Sequence, residues 1–167
     1  MSRPLAIGLL TTSYPRSAED SAGLFVRGFA RALADLGHRV EVLAPEPPTP
    51  SEPPREEGVE LRWVPYARPR SLARTFYGAG VPDNVRRDPL AWPGLLTVPA
   101  ALWVATARSH RRWDALVSHW ALPCALVAGA FRGRRPHLAV LHSADVHLLR
   151  RLPGRGTIAS QIAAGSS

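Results

Sequence analysis

The sequence predicts an α/β protein with a Rossmann-like, doubly wound, mostly parallel sheet. Three observations predict it. Short apolar runs recur along the chain, as at Leu5–Leu10, Val59–Val64 and Ala115–His119. Stretches between them place apolar residues three or four apart, the spacing of a helix face. The first run is joined to its helix by a loop of mostly small or polar residues, 11–23, that ends on a glycine. Strand, glycine-ended loop and helix is how such folds present free backbone N–H groups and a positive dipole end to an anion.

Leu5–Leu10 reads as a buried strand. The helix after it is entered on Ala22-Gly23, runs from Leu24 and carries Phe25, Phe29, Leu33 and Leu36 on one face, with Gly37 at its C-terminal end. Arg39–Leu43 is the second strand, and this βαβ start implies parallel pairing. The Pro-rich, acidic stretch 45–58 is expected to be a solvated extended loop, followed by a third strand at Val59–Val64. Residues 67–89 carry mixed loop signals. From Leu90 to Ala107 no residue is charged, and a helix is expected to run on to about Trp113. The strand–helix rhythm then resumes, with strand Ala115–His119, helix Leu122–Phe131 and strand Leu138–Leu141. A short helical piece from about Asp145 and a helix Thr157–Ala164 complete it. In doubly wound sheets ligands bind beyond the carboxyl ends of the strands, where loop 11–23, His119 and His142 all fall.

The chain has 167 residues, enough for one domain with a substantial core. Net charge is +8, and all 21 basic side chains are arginine. With one Asn and abundant Ala, Pro and Gly, the composition looks like codon bias in a GC-rich bacterial genome, so the charge by itself indicates no partner. The arginines are scattered over predicted helices, strands and loops, which argues against nucleic-acid binding. The single Cys124 excludes an internal disulfide and multi-cysteine metal sites, and in its apolar run it reads as a buried, inert thiol. Leu5–Leu10 is too short for a signal-peptide core, so the expected location is cytoplasmic. The run 90–107 has the length of a short membrane span, but Pro93, Gly94 and Pro99 would leave backbone groups unsatisfied in lipid. A buried or surface-lying helix is expected instead, and the arginines after it suit contact with an anionic membrane at its inner face.

The familiar nucleotide and nucleophile signatures are missing. GAGVPD at 78–83 offers a G-x-G, but Pro82 and its surroundings are wrong for a strand-to-helix turn. No G-x-G-x-x-G, no P-loop lysine and no G-x-S-x-G elbow occurs. His137, His142 and His147 stand five apart, a spacing that puts no two on one face of a regular element, so no metal site is expected. His119 and His142 each close an apolar strand. Alone, each reads as a hydrogen-bonded structural histidine; placed with loop 11–23, they become candidates for a site.

Four segments, in order along nearly the whole chain, resemble the N-terminal domain of the family 4 glycosyltransferases, retaining enzymes of the GT-B fold. They are TTSYPRSAEDSAGLFVRGFARALADLGHRVEVLAP at 11–45, YGAGVPDNVRRDPLAW at 77–92, DALVSHWALP at 114–123 and VLHSADVHLLRRLP at 140–153. The resemblance implies hexosyl transfer from a nucleotide-sugar donor to a glycan or lipid acceptor with retention, as in cell-envelope glycan biosynthesis. It implies two Rossmann-like halves facing across a cleft, with residues 1–167 forming the acceptor-side half. Ala22, Gly23 and Leu24 would then face the donor diphosphate, and His142 would contact the transferred sugar or the phosphate. Tyr14, Arg16 and His119 would line the acceptor side. Asp145 would cap the following helix or touch the acceptor. No cofactor is implied beyond the nucleotide-sugar co-substrate, and no metal, since no D-x-D pattern is present.

The chain departs from that family in three places. Ala22-Gly23 stands for a common Gly-Gly, and Ser143-Ala144 for the usual Gly-Ser. The sequence also ends near Ser167, short of the family's last N-terminal strand and its C-terminal nucleotide-sugar domain with the paired-glutamate segment. The expectations are therefore that the 167-residue chain alone is inactive, with an exposed sheet edge, and that a partner supplies the second domain. A non-catalytic glycan- or lipid-binding module, or a peripheral membrane module built on helix 90–112, is the alternative.

Overall fold

The computed structural model describes residues 3–78 and 80–166. Ala79, within the GAGVPD stretch, lies outside the described residues. Five strands form one sheet: β1 (Ala6–Leu10), β2 (Arg39–Pro45), β3 (Val59–Val64), β4 (Ala115–His119) and β5 (His137–Val140). Their spatial order is β3-β2-β1-β4-β5, and every neighbouring pair is parallel. The chain winds outward from β1 to β3 and then returns to the other side of β1 as β4. The order therefore reverses between β1 and β4, which makes their carboxyl ends the switch point of the sheet.

Both faces are covered, so successive strand residues are apolar for opposite reasons. Ile7, Leu9, Val40, Val42 and Val117 pack with Val26 and Ala30 of α1 (Leu24–Asp35). Leu10, Leu43 and Leu116 pack on the other face. Their partners are Val98 and Leu102 of α3 (Gly94–Ser109) and Val127 and Ala128 of α4 (Leu126–Phe131). Between β3 and α3 lies α2 (Val81–Arg87), and after β5 come α5 (Ser143–Arg151) and α6 (Arg155–Ala164). Ile162 of α6 packs with Ala121 and Ala125. His137 fastens this last layer. Its Nδ1 donates to Gly165 O at 2.6 Å, and its Nε2 accepts from Ser118 Oγ at 2.9 Å. Burial holds the ring below the ordinary histidine range, in keeping with that neutral tautomer.

Several elements differ from the sequence expectation, each for a local reason. The face of α1 buried on the sheet centres on Val26 and Ala30, while Phe25 and Leu36 are exposed. The stretch 45–58 is not simply solvated. Pro45 and Pro47 are buried, Glu46 pairs with Arg68 at 2.9 Å, and Glu56 pairs with Arg27 of α1. Loop 67–89 contains α2, and Asn84 closes it by donating from Nδ2 to Thr75 O and Tyr77 O at 3.1 and 2.6 Å. The helix expected from Leu122 begins at Leu126, preceded by a wide turn over Ala121–Ala125. Leu122 is extended (φ −119°, ψ 131°) because Pro123 follows it, and the α region clashes with a following proline ring.

Candidate functional site

The carboxyl ends of β4 and β5 bring His119 and His142 together. His119 Nδ1 and His142 Nε2 lie 3.3 Å apart, and the rings are stacked with centroids 5.5 Å apart. Around them close three more aromatic rings. Phe25, from the first turn of α1, has its centroid 4.7 Å from that of His142 and 5.8 Å from that of His119. Phe29, one turn further along, meets His119 edge-on at 5.2 Å. Trp120 lies 4.6 Å from His142. Phe25 is 47% exposed, so this cluster opens to solvent at the start of α1 rather than being sealed in the core.

The cluster carries strain and unmet polarity. Trp120 has φ 79°, the one positive value among the described non-glycine residues. Such a backbone costs on the order of 1–3 kcal/mol and persists where packing around it enforces it. Of the five described buried side-chain polar atoms without a hydrogen-bond partner, two belong to consecutive residues here: His119 Nε2 and Trp120 Nε1. Burial, assisted by His142, pushes the His119 imidazole down to about 4, so it is neutral at physiological pH. One nitrogen of a neutral imidazole and one indole N–H are thus buried without a partner, an exception to the usual pairing of buried polar groups.

Loop 11–23 leads from β1 into α1, and Asp20 organises it. Its Oδ2 accepts from Arg16 Nε at 2.5 Å and from Arg16 N at 3.0 Å, while Oδ1 accepts from Ala22 N at 3.0 Å. The bond from Arg16 is the main reason the carboxyl sits at about 2. Gly23 is the N-cap of α1 at φ 72°, and a Cβ there would lie 2.6 Å from Ser13 O. The demand for glycine thus arises inside the loop, where α1 must start against the Ser13 carbonyl. Ala22 is half-buried, and Leu24 is exposed at the mouth. A depression of about 360 Å³ lies beside this loop, lined by Arg16, Asp20, Thr49 and Glu52 among others. Another, of about 490 Å³, sits at the opposite edge of the sheet around Ala6, Arg39 and Glu41, away from the histidines.

Three expected positions require correction, while Asp145 takes its expected capping role, from inside the helix. Tyr14 does not line an open face; it is packed in the core with Leu9 and Val26, and burial pushes its phenol up to about 12. Arg16 is occupied, paired with Asp20 and stacked 5.2 Å over the Tyr77 ring. His119 is only 2% exposed, so it backs His142 instead of presenting its own surface. Asp145 is buried as the third residue of α5, where it accepts the His142 N–H at 3.0 Å and an N–H from Ala121. Its role in this structure is to hold the start of α5 against the β4 turn, with His142 as N-cap, so the helix begins two residues before the expected place. Burial raises the Asp145 carboxyl while those N–H groups oppose the rise. The sequence placed Phe25 on the core face of α1 and gave Trp120 and Asp20 no role, so none of the three was expected at the site. Only Asp20 left a local sign, as an Asx-turn residue three positions before the loop's end. Among the described residues no cluster of three metal-ligating side chains occurs.

No protein-family model matches this sequence, and no curated protein matches it. Solved structures similar to it include the glycotransferase of kitacinnamycin, at 14% identity and a TM-score of 0.45, matching 98% of this chain and 38% of that one. Os79 from O. sativa, solved in complex with UDP, is 21% identical with a TM-score of 0.49, over 91% of this chain and 35% of that one. The chain spans little more than a third of the length of these structures.

Proposed function

We propose that this chain is the acceptor-side half of a retaining GT-B glycosyltransferase of the family 4 type, transferring a hexose from a nucleotide sugar to a glycan or lipid. The observation that carries this reading is the convergence of key positions from three of the four resembling segments. Gly23 and the first turn of α1, His119-Trp120 and His142 meet at the switch point of the sheet. In the proposed reaction the leaving group is a nucleoside diphosphate, and stabilising its charge is the main electrostatic task. The N-terminal turn of α1 offers that charge the positive end of its dipole, and no carboxylate competes from its first turn. His142 contacts the sugar or a phosphate oxygen, held in place by Asp145 at its backbone and by neutral His119 at its ring. The nucleotide itself is held by a second half, so the 167-residue chain alone does not turn over.

Histidine NMR during titration with UDP-, GDP- and ADP-sugars tests the site. The His142 ring resonances are expected to shift at about millimolar donor, while His110 and His147 stay unmoved. A His142→Ala chain should lose the donor response at Trp120. No shift with any donor, or an equal response in the variant, would overturn the assignment. Sugar transfer by the chain alone would overturn the need for a second half.

A further inference from the structure

The segment Pro89–Arg112 is long and apolar enough to cross a membrane by length and composition, yet only 33% of its most apolar window is buried against the rest of the chain. Its inner face belongs to the core. Val98, Leu102 and Ala105 pack with Leu10, Leu43 and Leu116, and Ala105 O accepts from Arg62 at 3.2 Å. Its outer face is almost wholly apolar, and of its side chains Trp103 is covered in part, its ring meeting Phe131 edge-on with centroids 4.7 Å apart. Leu96 is 80% exposed and Trp92 59%, and Leu95, Trp103 and Val104 are exposed beside them. Leu96, Ala100, Trp103 and Ala107 form one continuous stripe, since residues three and four apart share a helix face.

The charge around this stripe has one sign. Between Asp88 and Asp114 there is no acidic residue. Arg86 and Arg87 precede the stripe and Arg108 and Arg111 follow it, all exposed and outside any ion pair among the described residues. We propose that this face docks on an anionic lipid surface, lying along the membrane rather than crossing it. Crossing would strip Val98, Leu102 and Ala105 from the sheet, whereas docking requires only the outer stripe to enter the headgroup boundary. The two exposed tryptophans suit that depth, and the flanking arginines meet the lipid phosphates. A second copy is the poorer occupant, because an antiparallel pair would set the arginines at one end of the stripe against those at the other. The inference is independent of the sugar-transfer reading.

Co-sedimentation of the full chain with vesicles tests it. The chain should pellet with phosphatidylcholine vesicles containing about a third phosphatidylglycerol, not with pure phosphatidylcholine, and less in about 0.5 M salt. Leu96→Glu should weaken binding roughly tenfold or more. Leu36→Glu changes an equally apolar, exposed position at the end of α1 and should leave binding unchanged; equal melting curves for both variants keep the comparison valid. Absence of pelleting, equal binding to both vesicle types, or undiminished binding by Leu96→Glu overturns the proposal. So does a dimer in solution that Leu96→Glu disperses, because that would show a protein occupant.

Discussion

The two edges of the sheet bury polar side chains in opposite ways. At the amino edge, Glu41 of β2 collects Trp113 Nε1 at 2.9 Å, Arg62 at 3.1 Å, Ser109 Oγ at 3.0 Å and Arg112 at 3.3 Å. Its carboxylate is fully used, and Gly8 lies so close beneath Trp113 that a Cβ would fall 2.2 Å from the indole. At the carboxyl edge, His119 and Trp120 keep one polar atom each without a partner, and the Trp120 backbone is at positive φ. A saturated network specifies packing, whereas an unsaturated and strained one is retained where it has another use. The difference is what favours the carboxyl edge as the candidate site in our proposal, even though the larger of the two depressions lies at the amino edge.

The largest break should come at the amino edge. Gly8→Ala drives a methyl group into Trp113 and should cost about 3 kcal/mol or abolish folding, read by urea denaturation. Glu41→Ala leaves Trp113, Ser109 and two arginines without their acceptor and should cost about 2–3 kcal/mol, less than a fully buried pair because the arginines reach solvent. At the carboxyl edge, Gly23→Ala should cost about 2 kcal/mol through its positive φ and its clash with Ser13. Acid should separate the edges further. The unfolded chain protonates His119 near the ordinary histidine value, but the folded chain holds it neutral down to about 4. Stability from this group is therefore complete above about pH 6.5 and is lost as pH falls toward 4. A His119→Phe chain should lack roughly 2 kcal/mol of that acid sensitivity, measured as melting temperature against pH. The smallest effect on stability should be His142→Ala, under about 1 kcal/mol, since the ring is only half-buried. A loss as large as that of Glu41→Ala would make the carboxyl edge a second structural network and erase the contrast.

Much of this molecule is legible in local patterns. β3 and β4 coincide with the runs Val59–Val64 and Ala115–His119, and α1 begins at Leu24, directly after Gly23. These follow from apolar runs of strand length and from a glycine-ended loop, both encoded by neighbouring residues. The late start of α4 was also written locally, in Pro123 and its effect on Leu122. The helix that starts at Ser143 instead of Asp145 was less so, because its N-cap is a histidine and its carboxylate reaches back from the third position.

The sequence by itself determined the fold class, the order of the strands along the chain, and the placing of His119 and His142 at strand ends. Periodicity and turn chemistry suffice for that. Only the tertiary structure decided that Phe25 leaves the core face of α1 to cover the histidines, that Tyr14 is enclosed and Arg16 engaged, and that His119 stands behind His142. Those outcomes depend on strands β1, β4 and β5 lying side by side, and a strand's neighbours are set by burial across the whole sheet, not by the residues next to it in the chain.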